Sequence, residues 1–219
     1  ITVIEETGAI IVFPNQTNSG QPDTWVSFPL TCRNTQVFVD TIDIVLFDQL
    51  SWSYNLLDSL GNPLTDHNSN GLVDLPGISA QGGEVDFSTE VHIPSGTPSG
   101  TIDSILLFAY SGKDSTIHDS SILVLNVGDY ALVLIQPDCA DSGNYNDTID
   151  YLLYVQNLGN NTDIIDLTVF GGSFNYSLRN LDGNPLIDTN NNGMVDLGPI
   201  PAYSGESLLV RTPITSSQY

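Results

Sequence analysis

Alternating apolar and polar positions recur along the 219-residue chain in short segments, which clusters of Gly, Pro, Asn, Asp and Ser separate. Ile42, Ile44 and Leu46 illustrate the pattern, since residues two apart in a strand lie on the same face of a sheet. No segment shows a competing helical period. The pattern predicts an all-β chain with strands at 9–13, 25–33, 42–46, 85–93, 102–110 and 121–127, and again at 131–136, 149–156 and 165–169.

The second half of the chain repeats the first half. Pro14 aligns with Pro137 at an offset of 123 residues, and after one deletion the offset becomes 122. Between residues 53–75 and 175–197, 13 of 23 positions are identical. A repeat of this length, with short strands and no helices, predicts two tandem Ig-like antiparallel β-sandwich modules. The predicted modules are residues 8–127 and 129–219.

The two ends of the chain depart from the repeat. Ile1–Ile4 align with Val124–Val127, so residues 1–7 are expected to be the tail of a last strand or a donor strand. Tyr219 aligns with Thr97, so module 2 is expected to lack its last two strands. Missing strands uncover core side chains, at about 1.5–3 kcal/mol each, and leave sheet edges that recruit other strands. Two explanations stay open: the chain is part of a longer repeat array, or strands of a neighbouring subunit complete module 2.

One motif, D-x-N-x-N-G-x-x-D, occurs once in each module. It places oxygen side chains at loop positions 1, 3, 5 and 9, a glycine at 6 and a backbone carbonyl at 7, as in an EF-hand-type calcium loop. The alternative is a turn without metal, because Asn, Asp and Gly favour turns. Two aligned copies favour calcium, about one ion per module. The predicted ligands are Asp66, Asn68, Asn70, Leu72 and Asp74, and in module 2 Asp188, Asn190, Asn192, Met194 and Asp196.

Each loop alone is under-coordinated and needs carboxylates from elsewhere in the chain or water. Position 12 is Gly77 or Pro199 and lacks the bidentate Glu of an EF-hand. Asn at positions 3 and 5 also lowers the charge of the cage, which predicts weak sites that fill at the high calcium concentrations outside cells. The candidates for the additional ligands are the aligned pairs Asp58/Asn180 and Glu84/Glu206.

The charge balance excludes several classes of partner. Twenty-six Asp and Glu against four Lys and Arg give a formal net charge of −22. Nucleic acid is excluded, since phosphate backbones need a cationic surface, and anionic membranes are disfavoured. No apolar run approaches the roughly 18 residues of a membrane span, so no direct membrane insertion is expected. The start at Ile1 without Met is expected of a mature or excerpted segment.

Sequons and cysteines leave two questions open. Whether Cys32 and Cys139, the only cysteines, form a disulfide stays undecided. Cys32 alternates with Phe28 and Leu30, which favours a buried free thiol as much as a bridge. Four N-x-S/T sequons are candidate glycosylation sites, although an Asn- and Thr-rich chain also produces them by chance. They begin at Asn15, Asn146, Asn160 and Asn175.

Both modules share a succession of elements: a strand ending in Val/Cys-x-Asn, an Asp-bearing strand, a Gly-Asn-Pro-Leu turn and the D-x-N-x-N-G-x-x-D loop. This succession resembles the Ig-like repeats, CARDB-type in the broad sense, of bacterial and archaeal cell-surface proteins. The loop is similar to those of dockerins and thrombospondin type-3 repeats. Dockerins, however, are helical, and this chain lacks the cysteines that flank each thrombospondin loop. The resemblance implies an extracellular structural or adhesive module.

Catalytic chemistry has no clear candidate residues. The acids recur in turns, and no pair is singled out as acid and nucleophile. His67, His92 and His118 lie in different segments, and the side chain of His67 is expected to face away from its loop. Four aromatic residues could stack on sugars: Trp25, Tyr145, Trp52 and Tyr176. Of these, Trp52 and Tyr176 fall in the repeated core pattern.

We therefore expect a non-enzymatic extracellular protein, a calcium-stabilised building block of a surface filament, sheath or surface layer. Strand exchange between subunits is one route of assembly. The expected partners are copies of the chain or neighbouring modules of a longer chain. The alternative is an adhesion or carbohydrate-binding module appended to a secreted enzyme, with surface glycans as its partners.

Overall fold

A computed structural model describes residues 9–172 and 174–215 of the chain. The chain divides into two compact units, Ile1–Gly128 (unit 1) and Asp129–Tyr219 (unit 2). The described residues form β-strands and no helix, which confirms the all-β prediction. No helix long and apolar enough to cross a membrane is found in this part of the chain. Residues 1–7, predicted to be a strand tail or donor strand, lie outside the described residues.

Unit 1 consists of two sheets. One has the order β1-β3-β7-β5, and the other has the order β2-β9-β8-β4-β6. All pairs are antiparallel except β2 with β9, which is parallel. The strands are β1 (Ile10–Phe13), β2 (Gln16–Gly20), β3 (Thr24–Asn34), β4 (Asp40–Asp48), β5 (Tyr54–Asp58), β6 (Asp74–Ile78), β7 (Gly83–Ile93), β8 (Ile102–Ser111) and β9 (His118–Val127).

Apolar side chains of both sheets form one core in unit 1. Alternate residues of the long strands point inward, as the sequence pattern predicts: Phe28 and Leu30 from β3, Leu107 from β8 and Leu125 from β9 are fully buried. The unit is therefore a two-layer β-sandwich. Pro14 separates β1 from β2, and these two strands belong to different sheets. Because proline has no N–H to donate, it marks the point where the chain leaves the first sheet.

Unit 2 repeats part of this arrangement. One sheet has the order β10-β11-β15-β13, and β12 pairs with β14 in a second, two-stranded sheet. Its smaller core contains Val155, Ile165, Leu167, Ile200 and Leu208. No strand in the described part of unit 2 corresponds to β2, β8 or β9. The strands are β10 (Val133–Gln136), β11 (Thr148–Asn157), β12 (Asp163–Leu167), β13 (Ser177–Arg179), β14 (Val195–Ile200) and β15 (Ser204–Pro213).

The sequence pattern missed five short strands, β2, β5, β6, β13 and β14, because their three to six residues show no clear alternation of apolar and polar positions. Tyr176 was predicted to lie in a repeated core position and is instead 45% exposed. Trp52 is partly buried against the core, in agreement with the prediction.

Both cysteine thiols are free. Cys32 is fully buried in the core of unit 1, and Cys139 is exposed. Burial, with a smaller contribution from the charge of Asp119, raises the pKa of the Cys32 thiol to about 12. Cys32 is therefore a small apolar core residue and is unreactive at neutral pH.

Candidate calcium loops

The first motif forms the loop that leads into β6 of unit 1. Asp66, at loop position 1, accepts hydrogen bonds from the N–H groups of Asn70 (3.2 Å) and Gly71 (2.8 Å). The bond from Gly71 is the main cause that holds the pKa of Asp66 below its ordinary value, so this carboxylate is ionised over a wide pH range. Gly71 has a φ of +91°, a conformation that side chains with a Cβ rarely adopt. The glycine at position 6 is thus required by the turn.

The amide groups of the loop contact a carboxylate on β4. Asn68 donates from Nδ2 to Oδ1 of Asp43 (2.9 Å), and Asn70 donates from Nδ2 to Oδ2 of the same residue (2.7 Å). Asp43 is 5% exposed. Loop positions 3 and 5 are therefore tied to a buried carboxylate that lies outside the loop.

The last acid of the motif, Asp74, is fully buried at the start of β6. Its Oδ2 accepts the N–H groups of His67 (2.8 Å) and Asn68 (3.2 Å). His67 was expected to face away from the loop, but its Nδ1 lies 2.9 Å from Oδ1 of Asp74. That expectation is wrong, because the imidazole of His67 turns back toward the carboxylate of Asp74, although the His67 side chain stays 50% exposed.

The second motif repeats these contacts in unit 2. Oδ1 and Oδ2 of Asp188 accept the N–H groups of Asn192 (3.2 Å) and Gly193 (2.7 Å). Asn192 also donates from Nδ2 to Oδ2 of Asp166 on β12 (2.7 Å), while Asn190 lies 3.5 Å from the other oxygen of Asp166. The contact of Asn190 is thus longer than its counterpart in unit 1.

Asp196 occupies the position of Asp74 in the second loop. It accepts the N–H of Thr189 (2.8 Å) and the hydroxyl of the same residue (2.6 Å). The hydroxyl bond is the main cause that lowers the pKa of Asp196. Thr189 therefore stands where unit 1 has His67, and both side chains contact the last acid of the loop.

Two aspartates face each other across neighbouring strands beneath each loop. Asp43 of β4 is the register partner of Asp74 of β6, and Asp166 of β12 is the register partner of Asp196 of β14. Like charges directly opposite in a sheet destabilise it. A cation that bound there would remove this repulsion, so the arrangement in each unit favours a positive ligand.

The predicted additional ligands make contacts of their own in the structure. Asp58 accepts the N–H groups of Leu60 (2.9 Å) and Asn62 (2.8 Å), so it caps its own turn. Asn180 does the same for the N–H of Asn184 (2.9 Å). The hydrogen bonds of Asn62 lower the pKa of Asp58.

The two glutamates belong to the other sheet of their units. Glu84 of β7 is ion-paired with Arg33 of β3, and Glu206 of β15 lies opposite Val155 of β11. The loops instead contact β4 and β12. Neither Glu84 nor Glu206 therefore reaches its loop.

Asp43 and Asp166 are the residues that sequence reasoning missed. A sequence signal for them was present, because Ile42-Asp43 aligns with Ile165-Asp166 and both acids lie between aliphatic positions that face inward. Only strand pairing shows that these acids meet the loops. In the described residues no three His, Cys, Asp or Glu side chains converge as a metal site by themselves. A cation site here would depend on the asparagine oxygens as well. The carbonyls of Leu72 and Met194 stay predictions.

The candidate glycosylation sites differ in accessibility. Asn160 is 2% exposed, and its Oδ1 accepts the N–H of Tyr130 (2.7 Å), so a glycan there would disrupt a packed contact. Asn160 is therefore removed from the candidates. Asn15, Asn146 and Asn175 are exposed and stay predictions.

Comparisons with known proteins identify only distant similarities. No family model matches the chain, and no curated protein matches it. Among solved structures, the secreted serine protease VesC from Vibrio cholerae is 9% identical with a TM-score of 0.35, covering 96% of this chain and 48% of VesC. This chain thus spans about half the length of VesC. The CsuC–CsuE chaperone–tip adhesion subunit pre-assembly complex of Csu pili from Acinetobacter baumannii is 10% identical with a TM-score of 0.42, covering 95% and 94%. The class 5 fimbriae chaperone CfaA is 12% identical with a TM-score of 0.31, covering 90% and 83%. These similarities assign neither a family nor a function.

Proposed function

We propose that this protein is a non-enzymatic, calcium-stabilised β-sandwich building block of an extracellular filament, sheath or surface layer, of the kind found in Ig-like repeats of prokaryotic cell-surface proteins. One observation supports the calcium part above all others. In both units a D-x-N-x-N-G loop contacts, through its asparagine amides, an aspartate that faces a second aspartate across the sheet.

The donor set suits a hard cation. Calcium takes six to eight oxygen ligands in a flexible geometry, and each loop together with the aspartate of β4 or β12 offers three carboxylates and two amide oxygens. In unit 1 these are Asp43, Asp66, Asp74, Asn68 and Asn70. The amides now direct Nδ2 toward Asp43, and rotation of each amide would direct its oxygen there instead. When bound, calcium would neutralise the facing aspartates and order the loop.

The chemistry of the loops also supports an extracellular location. Two of the five side-chain donors in each loop set are uncharged amides, which predicts weak binding and therefore a site that fills where calcium is abundant. At a hundredfold excess of calcium over its dissociation constant, one such site would stabilise its unit by roughly 2.7 kcal/mol. The repeated acids thus serve structure, which is why we propose no catalytic role for them.

Thermal unfolding with calcium and with EGTA tests the assignment in unit 1 specifically. Both tryptophans of the chain, Trp25 and Trp52, lie in unit 1, so intrinsic fluorescence reports the unfolding of this unit. We expect calcium to raise the fluorescence-detected Tm of the parent. Asp66→Ala should abolish this rise, whereas Asp188→Ala should leave it intact.

Asp58→Ala is the matched control, because the hydrogen bonds of Asp58 cap a turn of its own at Leu60 and Asn62. This variant should lower Tm equally with calcium and with EGTA, so that the calcium-induced difference is preserved. Titration calorimetry should count two ions for the parent and one for either loop variant. An unchanged calcium response in Asp66→Ala would refute the site.

A carbohydrate-binding role is the second candidate, and one surface favours it. The half-exposed Trp25 lines a cavity of about 570 Å³ together with Asn18, Ser27 and Asn126, a combination of one aromatic ring with amide and hydroxyl groups. Such sets bind sugars by stacking and hydrogen bonding. Glycan-array binding that disappears in Trp25→Ala but persists in Asp66→Ala would support this role. A blank array would remove it.

A further inference from the structure

Each D-x-N-x-N-G-x-x-D loop contains an Asn-Gly dipeptide at loop positions 5 and 6. Asn70-Gly71 and Asn192-Gly193 are the only two such dipeptides in the 219-residue sequence. Asparagine is chemically labile, and a following glycine increases this lability, because no Cβ shields the glycine nitrogen from the side-chain amide. All four residues are exposed to solvent. The two loops therefore contain the positions of this chain at which spontaneous deamidation is easiest.

Deamidation of Asn70 begins at the backbone of the next residue. The nitrogen of Gly71 gives its proton to solvent and attacks Cγ of Asn70, so that a new N–C bond forms. The bond from Cγ to the side-chain nitrogen breaks, and this nitrogen takes up a proton and leaves as ammonia. Water then opens the resulting succinimide ring at one of its two carbonyls, which yields aspartate or isoaspartate. No electrons are transferred, and water is the only co-reactant.

The folded loop of unit 1 holds both reacting groups in hydrogen bonds to aspartates. The N–H of Gly71 donates to Oδ2 of Asp66 at 2.8 Å, and Nδ2 of Asn70 donates to Oδ2 of Asp43 at 2.7 Å. Oδ1 of Asn70 accepts the N–H of Leu72 at 2.9 Å. The attacking nitrogen thus keeps its proton against one carboxylate while the leaving group is held against another. The loop has to open before the attack can occur.

Unit 2 repeats these three hydrogen bonds around its own dipeptide. The N–H of Gly193 donates to Oδ2 of Asp188 at 2.7 Å, and Nδ2 of Asn192 donates to Oδ2 of Asp166 at 2.7 Å. Oδ1 of Asn192 accepts the N–H of Met194 at 2.9 Å. The distances match those of unit 1 to within 0.1 Å. The arrangement is therefore a property of the loop and of the one aspartate that it contacts.

We propose that Asn70 and Asn192 are latent modification sites, which the folded loops protect from deamidation and which deamidate when a loop opens. Deamidation replaces the Nδ2 donor of Asn70 by a negatively charged oxygen that faces Oδ2 of Asp43, so the contact that closes the loop becomes a repulsion. Isoaspartate also lengthens the backbone of the turn. A modified loop does not close as before, so each modification is a lasting record of loop opening.

Peptide mapping by mass spectrometry measures deamidation at the two sites separately in the full chain. The chain is incubated at pH 8 with EGTA, and synthetic peptides spanning residues 64–76 and 186–198 are the unprotected references. We expect both asparagines of the folded chain to react at least about tenfold more slowly than in the peptides, since two charge-assisted hydrogen bonds must break before the attack. Unfolding the chain in urea should remove this difference.

Asp66→Ala removes the acceptor of the Gly71 N–H, and the second loop of the same molecule is the internal control. This variant should accelerate deamidation of Asn70 at least about fivefold and leave the rate at Asn192 unchanged. Asp188→Ala should have the reverse effect. Asp58→Ala removes a turn cap elsewhere in unit 1 and should change neither rate. Tryptophan fluorescence shows whether unit 1 of each variant is folded, and the comparison of the parent with its peptides needs no variant.

Three results would overturn the proposal. The first is an equal rate in the folded chain and in the peptides, and the second is an unchanged rate at Asn70 in a folded Asp66→Ala chain. The third is equal acceleration of Asn70 by Asp58→Ala and Asp66→Ala, because the overall stability of unit 1 would then set the rate. EGTA is present throughout, so none of these results depends on whether the loops bind calcium.

Discussion

Asp103 is a buried acid whose replacement should change the pH dependence of unit 1. Its side chain on β8 is fully buried, and neither carboxylate oxygen has a hydrogen-bond donor. Asp48, at the end of β4, is its acidic neighbour and itself accepts the N–H groups of Leu50 and Trp52. Burial, and then the proximity of Asp48, raise the pKa of Asp103 to about 7.

The raised pKa has a defined consequence for stability. An acid with a higher pKa in the folded state stabilises the fold most below its unfolded pKa, and this stabilisation is lost as the pH rises through the folded pKa. For Asp103 the loss extends from about pH 4 to about pH 7. A difference of roughly three pKa units corresponds to at most on the order of 4 kcal/mol.

Asp103→Asn is the perturbation that isolates this effect. Asparagine has nearly the same shape, stays neutral, and can donate an N–H to Asp48. The variant should match the parent below about pH 4, exceed its free energy of unfolding by about 1.5 kcal/mol at pH 5, and exceed it by a few kcal/mol at pH 8. Urea unfolding of both proteins at pH 5, 6, 7 and 8 with EGTA measures this, with tryptophan fluorescence reporting unit 1 alone.

The difference between the two proteins is the decisive quantity, because other carboxylates titrate equally in both. If that difference stays constant from pH 5 to pH 8, Asp103 does not retain its proton in the folded state. The interpretation of the Asp48–Asp103 contact would then be wrong.

Three further predictions follow from the described contacts. Asp43→Asn removes one of the facing charges of the proposed site, so it should abolish the rise of roughly 2.7 kcal/mol that a hundredfold excess of calcium gives the tryptophan-detected stability of unit 1. Asp166→Asn should leave that signal unchanged. Gly20→Ala would bring a Cβ within 2.4 Å of Val26 Cγ2 and should cost about 1–3 kcal/mol in urea unfolding. Gly71→Ala should cost less, about 1 kcal/mol, because its Cβ meets open space and only its positive φ is unfavourable. Equal losses for the two variants would contradict this account. Arg211 donates to both oxygens of Asp150 (2.7 and 2.6 Å) and lowers the pKa of this carboxyl, so the pair stabilises the fold above the unfolded pKa and loses this effect as the pH falls through the folded pKa. Arg211→Gln should therefore raise the pKa of Asp150 in an NMR titration. An unchanged titration would show that the contact does not persist in solution.

The sequence and the structure contribute differently to the candidate site. The positions of Asp66 and Asp188 in tight loops were predictable because the motif is local, and a loop of nine residues specifies its own turn through the glycine at position 6. The contacts of Asp43 and Asp166 with the loops were not predicted, because their distance from the loops along the chain is bridged only by strand pairing. The hydrogen bonds of Asp58 within its own turn and the ion pair of Glu84 with Arg33 likewise became visible only in the structure.

By itself, the sequence determined the strand character of the long segments, the internal repeat, the position of the loops and the acidic balance. These properties depend on alternation and on local turn chemistry, which a few neighbouring residues decide. Tertiary structure alone decided which acids face each other across β4 and β6, and it alone revealed that Asp103 is buried beside Asp48. It also decided that Val133 is exposed while the aligned Ile10 is buried. Two similar sequence positions differ there because burial is a property of the strands that cover a residue, and those strands lie far away along the chain.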